Sequence, residues 1–315
     1  MRAFRMLGLV TAALLAASGN ASAQTYPNQR VTIVVPFGAG SVTDILARIL
    51  AEDMGKRWKQ QVIVENRPGL AGTQGVGKAS PDGYTLMVTS NGHTVAGLVS
   101  KQLGVDPVKD FAGITRLASS PLYLITHPSL GAKTVKDVID KAKGQPGKVN
   151  FSSPGLASTT FIAGALFRKT AGIDIVHVPF KSAPDAVTAV IRNDVQLYFA
   201  PVNLAKQYSE AGQVTAIAAA TAQRIPDLPN VATFTEQGLP FVYDSWFGLM
   251  APAGTPDAIR DKISKDWAAA LQAPEMKDRL AKQFVIPLHD QPAAFDEIIS
   301  KETANLTKVF KEAGI

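Results

Sequence analysis

The sequence predicts an α/β protein of two lobes, each built on a mainly parallel sheet flanked by helices, with a ligand cleft between the lobes. Three observations lead to this prediction. Apolar runs of strand length alternate with helical periodicity, small-residue loops join them, and one strand–loop–helix pattern occurs twice. Such alternation is typical of parallel sheets that carry helices on both faces.

The first strand, loop and helix are the clearest. Residues 31–35 form a continuous apolar run, as expected for a strand that is buried on both faces. From Val42 to Met54, apolar residues recur at spacings of three and four, which places them on one face of a helix. The connecting loop, "PFGAGS", has few large side chains.

The same alternation continues to the end of the chain. The turn Pro81-Asp82-Gly83 introduces one of the later strands. Further strands are predicted at residues 62–64, 85–89, 149–152, 175–178, 195–200 and 215–220. Helices are predicted at residues 134–143, 159–170, 184–192, 203–211, 256–271 and 293–313.

An internal repeat supports two lobes. The segments "VTIVVPFGAGSVTDILARIL" and "VNFSSPGLASTTFIAGALF" share the order strand, proline, glycine, small and hydroxyl residues, helix. They begin at residues 31 and 149, more than a hundred residues apart. We interpret them as the equivalent first loops of two similar lobes.

The N-terminus has the features of a secretory leader. Arg2 and Arg5 precede an apolar stretch over residues 7–17, and residues 21–23 give the small-residue pattern Ala-Ser-Ala. The stretch matches a signal-peptide core and is too short to cross a bilayer. We therefore predict a signal peptide over residues 1–23, cleavage before Gln24 and a protein exported to the periplasm. A retained membrane anchor is the disfavoured alternative.

Composition excludes several classes of function. The chain has no cysteine, which excludes disulfides, thiolate metal sites, a cysteine nucleophile and a lipid-anchored cysteine. Removing the two arginines of the leader leaves 30 basic and 26 acidic residues, so the net charge falls from +6 to +4. This mild positive balance favours anionic ligands. No basic cluster carries interleaved aromatic residues, so nucleic acid is not an expected partner.

The two equivalent loops have the chemistry of an anion site. Ligands of open α/β sheets bind beyond the carboxyl ends of strands, where the first N–H groups of a helix lack partners. Gly38 and Gly40 would let a ligand approach the main chain. Ser41 and Asp44 have the spacing of a capping box, which is the favoured role of Asp44. In the second loop, hydroxyls surround the start of a helix and suit a carboxylate.

Six ordered motifs resemble one known family. They are "YPNQRVTIVVPFGAGSVTDILAR", "VENRPGLAGTQG", "SPDGYTLMV", "KTVKDVIDKAKGQPGKVNFSSPG", "VHVPFKSAPDA" and "SWFGLMAPAGTP". In this order they resemble the substrate-binding proteins of tripartite tricarboxylate transporters, the Bug family. The resemblance covers nearly all of the chain after the leader. It implies a periplasmic-binding-protein-like fold and a monomer that closes on a small carboxylate. It also implies lobes formed by residues 24–120 with 246–315 and by residues 121–245.

The resemblance also implies ligand contacts and a partner. The membrane subunits of a tripartite tricarboxylate-type carrier would receive the ligand. Where many members read "VPYKG" this chain has Phe180-Lys181-Ser182, and where they carry an aspartate it has Ala200-Pro201. The loss of that acid disfavours cationic or amino-acid ligands. The implied ligand contacts are Phe37, Gly38, Ala39, Gly40, Ser41, Ser90, His93, Ser153, Ser158, Thr159, Asn203 and Trp246.

Two other functions remain as alternatives. An exported hydrolase would need a serine nucleophile with a base such as His93 and an acid such as Asp44, but no G-x-S-x-G, S-x-x-K or H-E-x-x-H motif is present. A ligand-loaded partner of a membrane sensor kinase would share the binding step. The four histidines have no metal-ligand spacing, so neither metal nor cofactor is expected.

Overall fold

The computed structural model describes residues 26–156, 158–243 and 245–312, so the predicted leader lies outside the described residues. The strands form a six-stranded and a five-stranded sheet. The first sheet contains β1 (Val31–Val35), β2 (Val62–Asn66), β3 (Thr85–Ser90), β4 (Phe111–Ser119), β10 (Phe247–Pro252) and β11 (Ile286–Pro287). The second contains β5 (Leu122–Thr126), β6 (Asn150–Ser153), β7 (Val176–Pro179), β8 (Leu197–Pro201) and β9 (Thr215–Ala219).

Helices cover both sheets, and we call each sheet with its packed helices a lobe. No helix in the described part of the chain is both long and apolar enough to cross a membrane. The α-helices are α1 (Val42–Trp58), α2 (Leu70–Gly77), α3 (Ala96–Val99), α4 (Val135–Gly144), α5 (Thr159–Ala171), α6 (Ala183–Ile191), α7 (Val202–Glu210), α8 (Asp257–Ala270), α9 (Pro274–Ala281) and α10 (Pro292–Glu312). A 3-10 helix, Asn91–Val95, follows β3, and a second, Pro128–Leu130, follows β5.

The two sheets repeat one pattern of strands. The order β2-β1-β3-β10-β4 in the first corresponds to β7-β6-β8-β5-β9 in the second. In each set three strands are parallel, the fourth is antiparallel to its neighbours, and the fifth returns to the first direction. This arrangement confirms two mainly parallel lobes and the internal repeat, whose copies are β1–α1 and β6–α5.

Along the described strands, the chain crosses between the two lobes twice. The chain passes from β4 in the first sheet to β5 in the second, and later from β9 in the second sheet back to β10 in the first. The sequence analysis missed β4, β5 and β10. Glycine disfavours strands, and Gly113 and Gly248 interrupt the apolar runs of β4 and β10. A Cβ at these two positions would lie 2.8 and 2.3 Å from ring carbons of Phe295, so the glycines make room for α10.

Helix α10 packs on both lobes. Phe295 and Ile299, in its first half, belong to an apolar cluster of the first lobe. Leu306 and Phe310, in its second half, belong to the large core of the second lobe. The ring of Phe310 lies 6.1 Å from that of Phe161 at the start of α5. The helix therefore bridges the lobes on the side of the crossover strands.

Candidate functional site

The carboxyl ends of the parallel strands in the two lobes face each other. The loop after β1 and the loop after β7 are in contact, because a Cβ added to Gly38 would lie 3.1 Å from the carbonyl oxygen of Lys181 and 3.1 Å from Cβ of Ser182. A Cβ at Gly40 would lie 3.9 Å from Pro184. This is the edge at which open α/β sheets hold their ligands.

A cavity of about 320 Å³ lies between these loops. The first lobe supplies residues from β3 and the β1–α1 loop, and also from α2, the 3-10 helix and α3. The second lobe supplies the β6–α5 loop and the end of β7. Its wall comprises Pro36, Phe37, Gly69, Leu70, Thr73, Thr89, His93, Ala96, Val99, Ser100 and Leu103 from the first lobe, and Pro154, Gly155, Leu156 and Pro179 from the second.

The β1–α1 loop is held from within by a buried carboxylate. Ser41 is the N-cap of α1 and accepts a hydrogen bond from the N–H of Asp44 at 3.2 Å. Asp44 Oδ2 accepts the N–H of Gly40 at 3.0 Å. Gly40 has φ of 79°, a region that favours glycine. Ala39, between the two glycines, is exposed. The N–H of Gly40 is thus engaged inside the loop. Gly38 makes the closer approach to the second lobe, because a Cβ there would lie 3.1 Å from Lys181, whereas a Cβ at Gly40 would lie 3.9 Å from Pro184.

Asp44 is itself fixed by two side chains. Arg48 Nε donates to its Oδ2 at 3.1 Å, and Asn66 Nδ2 donates to its Oδ1 at 2.9 Å. Burial raises the pKa of Asp44, but the hydrogen bonds from Arg48, Gly40 and Asn66 and the charge of Arg48 outweigh burial and lower that pKa. Asn66 also donates to the carbonyl oxygen of Phe37 at 3.2 Å. Ser41 caps α1 as predicted, but the Asp44 carboxylate accepts the N–H of Gly40 instead of that of Ser41, whose N–H donates to the carbonyl oxygen of Gly38 at 3.4 Å.

The β6–α5 loop is organised by hydroxyls. Ser153 Oγ lies 2.7 Å from Nε2 of His177 and 3.0 Å from the carbonyl oxygen of Gly155. Ser158, the N-cap of α5, accepts the N–H of Phe161 at 3.2 Å and donates to the carbonyl oxygen of Gly155 at 2.7 Å. Both predicted serines therefore shape the loop that brings Gly155 and its neighbours to the cavity.

A buried polar network joins the lobes behind the cavity. Asn91, which is fully buried, donates to Tyr243 Oη at 2.7 Å and to Glu302 Oε1 at 3.0 Å. Thr159 Oγ1 donates to Asn91 Oδ1 at 2.7 Å. Trp246 Nε1 donates to Glu302 Oε2 at 2.6 Å. Thr159 and Trp246, which the sequence suggested as ligand contacts, thus lie in this network, and neither is part of the cavity wall.

The remaining predicted residues differ in their surroundings. His93 lines the cavity, but its Nε2 lies 2.8 Å from the carbonyl oxygen of Pro107 and its ring packs edge-on against Phe111. Ser90 is buried, and within the described residues its hydroxyl has no hydrogen-bond partner. The same holds for Oδ1 of Asn203 near the start of α7.

Sequence reasoning found only part of the cavity wall. Of the predicted contacts, Phe37 and His93 line it. Leu70 and Thr73 on α2 were missed, because the motif "VENRPGLAGTQG" served only for the family resemblance. An Arg67–Glu65 ion pair lies just before α2. Val99 and Leu103 were missed as well, since neither belongs to a strand-end loop. A search for apolar residues next to the predicted strand ends would have found Leu70.

The arrangement offers little to a hydrolase. The suggested base His93 lies at hydrogen-bond distance from the carbonyl oxygen of Pro107. The suggested acid Asp44 accepts hydrogen bonds from Arg48 and Asn66. Ser153 and His177 form a serine–histidine pair, yet within residues 26–156, 158–243 and 245–312 no carboxylate hydrogen-bonds His177. Across the same residues, no group of three His, Cys, Asp or Glu side chains could hold a metal ion.

His93, which is buried, and His177, which is partly buried, make the free energy of unfolding depend on pH. Burial lowers the pKa of His93 and of His177 from 6.5 to about 4. As the pH falls, the unfolded chain therefore binds a proton at each histidine before the folded chain does. The contribution of each neutral ring to the free energy of unfolding is complete above pH 6.5 and is lost as the pH falls toward 4.

We expect the free energy of unfolding to decrease by on the order of 2 kcal/mol for His93 between pH 7 and pH 4.5, with a smaller decrease for the half-buried His177. Urea denaturation across this range measures it. His177→Gln should reduce the slope of the free energy of unfolding against pH. An equal slope in the wild-type protein and in His177→Gln would contradict the assignment to His177.

The sequence of this chain is similar to a known protein family and to several of its members. Residues 46–315 match a family model described as the tripartite tricarboxylate transporter family receptor. A UPF0065 protein of Agrobacterium vitis is 33% identical over 313 residues, which cover 97% of this chain and 90% of that protein. BugT of Bordetella pertussis is 30% identical over 299 residues, which cover 93% and 92% of the two chains.

Solved structures have the same architecture. An R. palustris protein solved with adipate is 31% identical with a TM-score of 0.85, covering 92% of this chain and 99% of that one. The periplasmic binding protein BugD is 28% identical with a TM-score of 0.84, covering 92% and 99%. MatC from Rhodopseudomonas palustris with bound malate is 28% identical with a TM-score of 0.82, covering 89% and 98%.

Proposed function

Since the chain belongs to the tripartite tricarboxylate transporter family of receptors, we propose that it is a periplasmic receptor for a small organic carboxylate. In this proposal it binds the ligand between its lobes and delivers it to the membrane subunits of a tripartite tricarboxylate-type carrier. The observation that carries the proposal is the cavity bounded by strand-end loops of both lobes.

The loops that bound the cavity have the donors that a carboxylate needs. Helix α1 begins directly after the β1–α1 loop and α5 directly after the β6–α5 loop, and the first N–H groups of a helix favour an anion. Thr73, Thr89 and Ser100 add hydroxyls to the wall. We propose that the ligand contacts residues 37–41 and the 153–159 loop, with Ser90, His93, Asn203 and Trp246 close by.

The crossover strands form the proposed hinge. Ser120, after β4, and Ser245, before β10, are hydrogen-bonded to each other, with the N–H of Ser120 donating to Ser245 Oγ at 3.1 Å. The proposed lobes therefore meet at residues 120/121 and 245/246, with residues 24–120 and 246–315 in one and residues 121–245 in the other. A hinge here would let the cleft close as the lobes rotate about these two connections.

Carboxylates and their matched primary amides, each added to the protein, test the proposal. We expect at least one carboxylate from a panel of mono-, di- and tricarboxylates to raise the melting temperature of the secreted protein, whereas the matched primary amide of the same acid leaves it unchanged. Ligand at one hundred times its dissociation constant adds about 2.7 kcal/mol of stability. A panel in which amides stabilise as well as acids, or in which nothing stabilises, would refute a carboxylate receptor.

Delivery is tested separately from binding. The processed protein should be found in the periplasmic fraction of cells, with residues 1–23 removed. Deleting its gene should abolish uptake of the radiolabelled ligand, and the wild-type gene should restore it. Uptake that persists in the deletion strain would leave the binding function intact but refute its role in transport.

A further inference from the structure

The wall of the cavity carries mainly apolar side chains. Phe37, Leu70, Val99 and Leu103 from the first lobe face Leu156 from the second. Among the described residues, no Lys, Arg, Asp or Glu belongs to the wall. The volume of about 320 Å³ is at the lower end of the range of about 300–1,000 Å³ typical of ligand pockets, so a ligand there touches these apolar groups over most of its surface.

The polar groups of the wall suit a single carboxylate. Thr73, Thr89 and Ser100 line the cavity, and each carries a hydroxyl. Hydroxyls and N–H groups can solvate one carboxylate without a counter-charge. The imidazole of His93 already contacts the carbonyl oxygen of Pro107 through Nε2.

Two cations at or next to the loops that meet at the cleft, Arg48 and Lys181, do not belong to the cavity wall. Arg48 is paired with Asp44 at 2.9 Å behind the β1–α1 loop. Lys181 contacts Gly38 through its backbone, its side chain is exposed, and it does not belong to the cavity wall. A second carboxylate inside the cavity would be buried without a counter-ion, which is unfavourable. An apolar group at the same position would be stabilised by its burial.

We infer that this receptor selects monocarboxylates with an apolar body, such as aromatic or medium-chain alkanoic acids, over dicarboxylates and tricarboxylates. The inference rests on the proposed function, because it concerns the ligand class of the same cleft. It sets this chain apart from the R. palustris relatives solved with adipate and with malate, which are dicarboxylates.

Two pairs of acids that differ only at the far end test the inference. Hexanoate and adipate have the same chain length, and 4-methylbenzoate and terephthalate have the same ring, but only the second member of each pair carries a distal carboxylate. Isothermal titration calorimetry on the secreted protein should give, within the better-bound pair, a dissociation constant at least about tenfold lower for the monocarboxylate.

A lysine substituted into the cavity wall provides a second test of the inference. Leu156 is exposed at the rim of the cavity, so a lysine is tolerated there. Leu156→Lys should shift the preference toward adipate and terephthalate, while the matched variant Leu156→Met should keep the wild-type preference.

The outcomes separate the inference from the proposed function. Dicarboxylates that bind as tightly as their monocarboxylate partners would overturn the inference and leave a carboxylate receptor in place. A preference that stays the same in Leu156→Lys and Leu156→Met would also overturn it, because the distal end of the ligand would then not meet this wall. If none of the four acids and no other carboxylate bound, both the inference and the proposed function would fail.

Discussion

Gly38→Val is expected to weaken carboxylate binding by about 10- to 100-fold. Its side chain would enter the space in which Gly38 meets the second lobe, where a Cβ alone would lie 3.1 Å from the carbonyl oxygen of Lys181. That carbonyl belongs to the backbone and cannot rotate away as a flexible side chain could. We expect the ligand-free protein to open at the proposed hinge, which would separate these two loops, so the free energy of unfolding without ligand should hardly change.

A graded series shows whether the contact between the lobes is responsible. Gly38→Ala should weaken binding less than Gly38→Val, and Ala39→Val, at the exposed neighbouring residue, should bind like the wild type. Gly40 is the poorer test, because its φ of 79° strains any larger residue whether or not the lobes touch. Calorimetry measures the affinities, and small-angle scattering should show that Gly38→Val with ligand keeps the larger radius of gyration of the ligand-free protein. Wild-type affinity in folded Gly38→Val would show that the bound receptor does not make this contact.

The substitution Asn91→Ala should lower the free energy of unfolding by about 2–4 kcal/mol. Asn91 is fully buried and hydrogen-bonds Thr159 of the second lobe, Tyr243 of the crossover and Glu302 of α10. Alanine removes the acceptor of the Thr159 hydroxyl and a donor to the Glu302 carboxylate. Each buried polar group that loses its partner is destabilising by about 1–3 kcal/mol.

Urea denaturation measures this loss against a matched surface change. Asn28 is also an asparagine with a side-chain hydrogen bond, to Tyr84, but it is exposed, so Asn28→Ala should lower the free energy of unfolding by less than about 1 kcal/mol. Asn91→Asp keeps an acceptor for Thr159 but places a second carboxylate beside Glu302, so we expect it to be no more stable than Asn91→Ala. If Asn91→Ala were as stable as Asn28→Ala, the network would not stabilise the fold.

The buried network of Asn91, Thr159 and Glu302 should also affect the affinity for the ligand. It links the first lobe to the second at a position that the sequence presented as a ligand loop, since Thr159 follows directly on the N-cap of α5. Its hydroxyl holds the lobes in register and does not belong to the cavity wall. Thr159→Val should therefore reduce stability together with affinity, whereas a residue that touches only the ligand would reduce affinity alone.

The local pattern of the chain was sufficient for most of the fold. The strands β1, β2, β3, β6, β7, β8 and β9 and the longer helices carry their own periodicity, and the repeated strand–loop–helix unit revealed two equivalent lobes. The caps Ser41 and Ser158 were also readable, because an N-cap acts on N–H groups only two or three residues away. These features depend on interactions between near neighbours in sequence.

What only the tertiary structure decided depends on residues far apart in the chain. Gly113 and Gly248 look like strand breakers until Phe295, more than forty residues beyond the second of them, is seen to fill the space they leave. The sequence suggested ligand contacts for His93 and Trp246 by their position, but only the structure showed that Pro107 and Glu302 are the partners of their ring nitrogens. The cavity wall, too, combines Leu70 of α2 with Leu156 of the opposite lobe. The sequence determined which loops meet at the cleft, because strand direction fixes which ends face each other. The side chains that line the cleft were decided by packing between the lobes, which no local periodicity encodes.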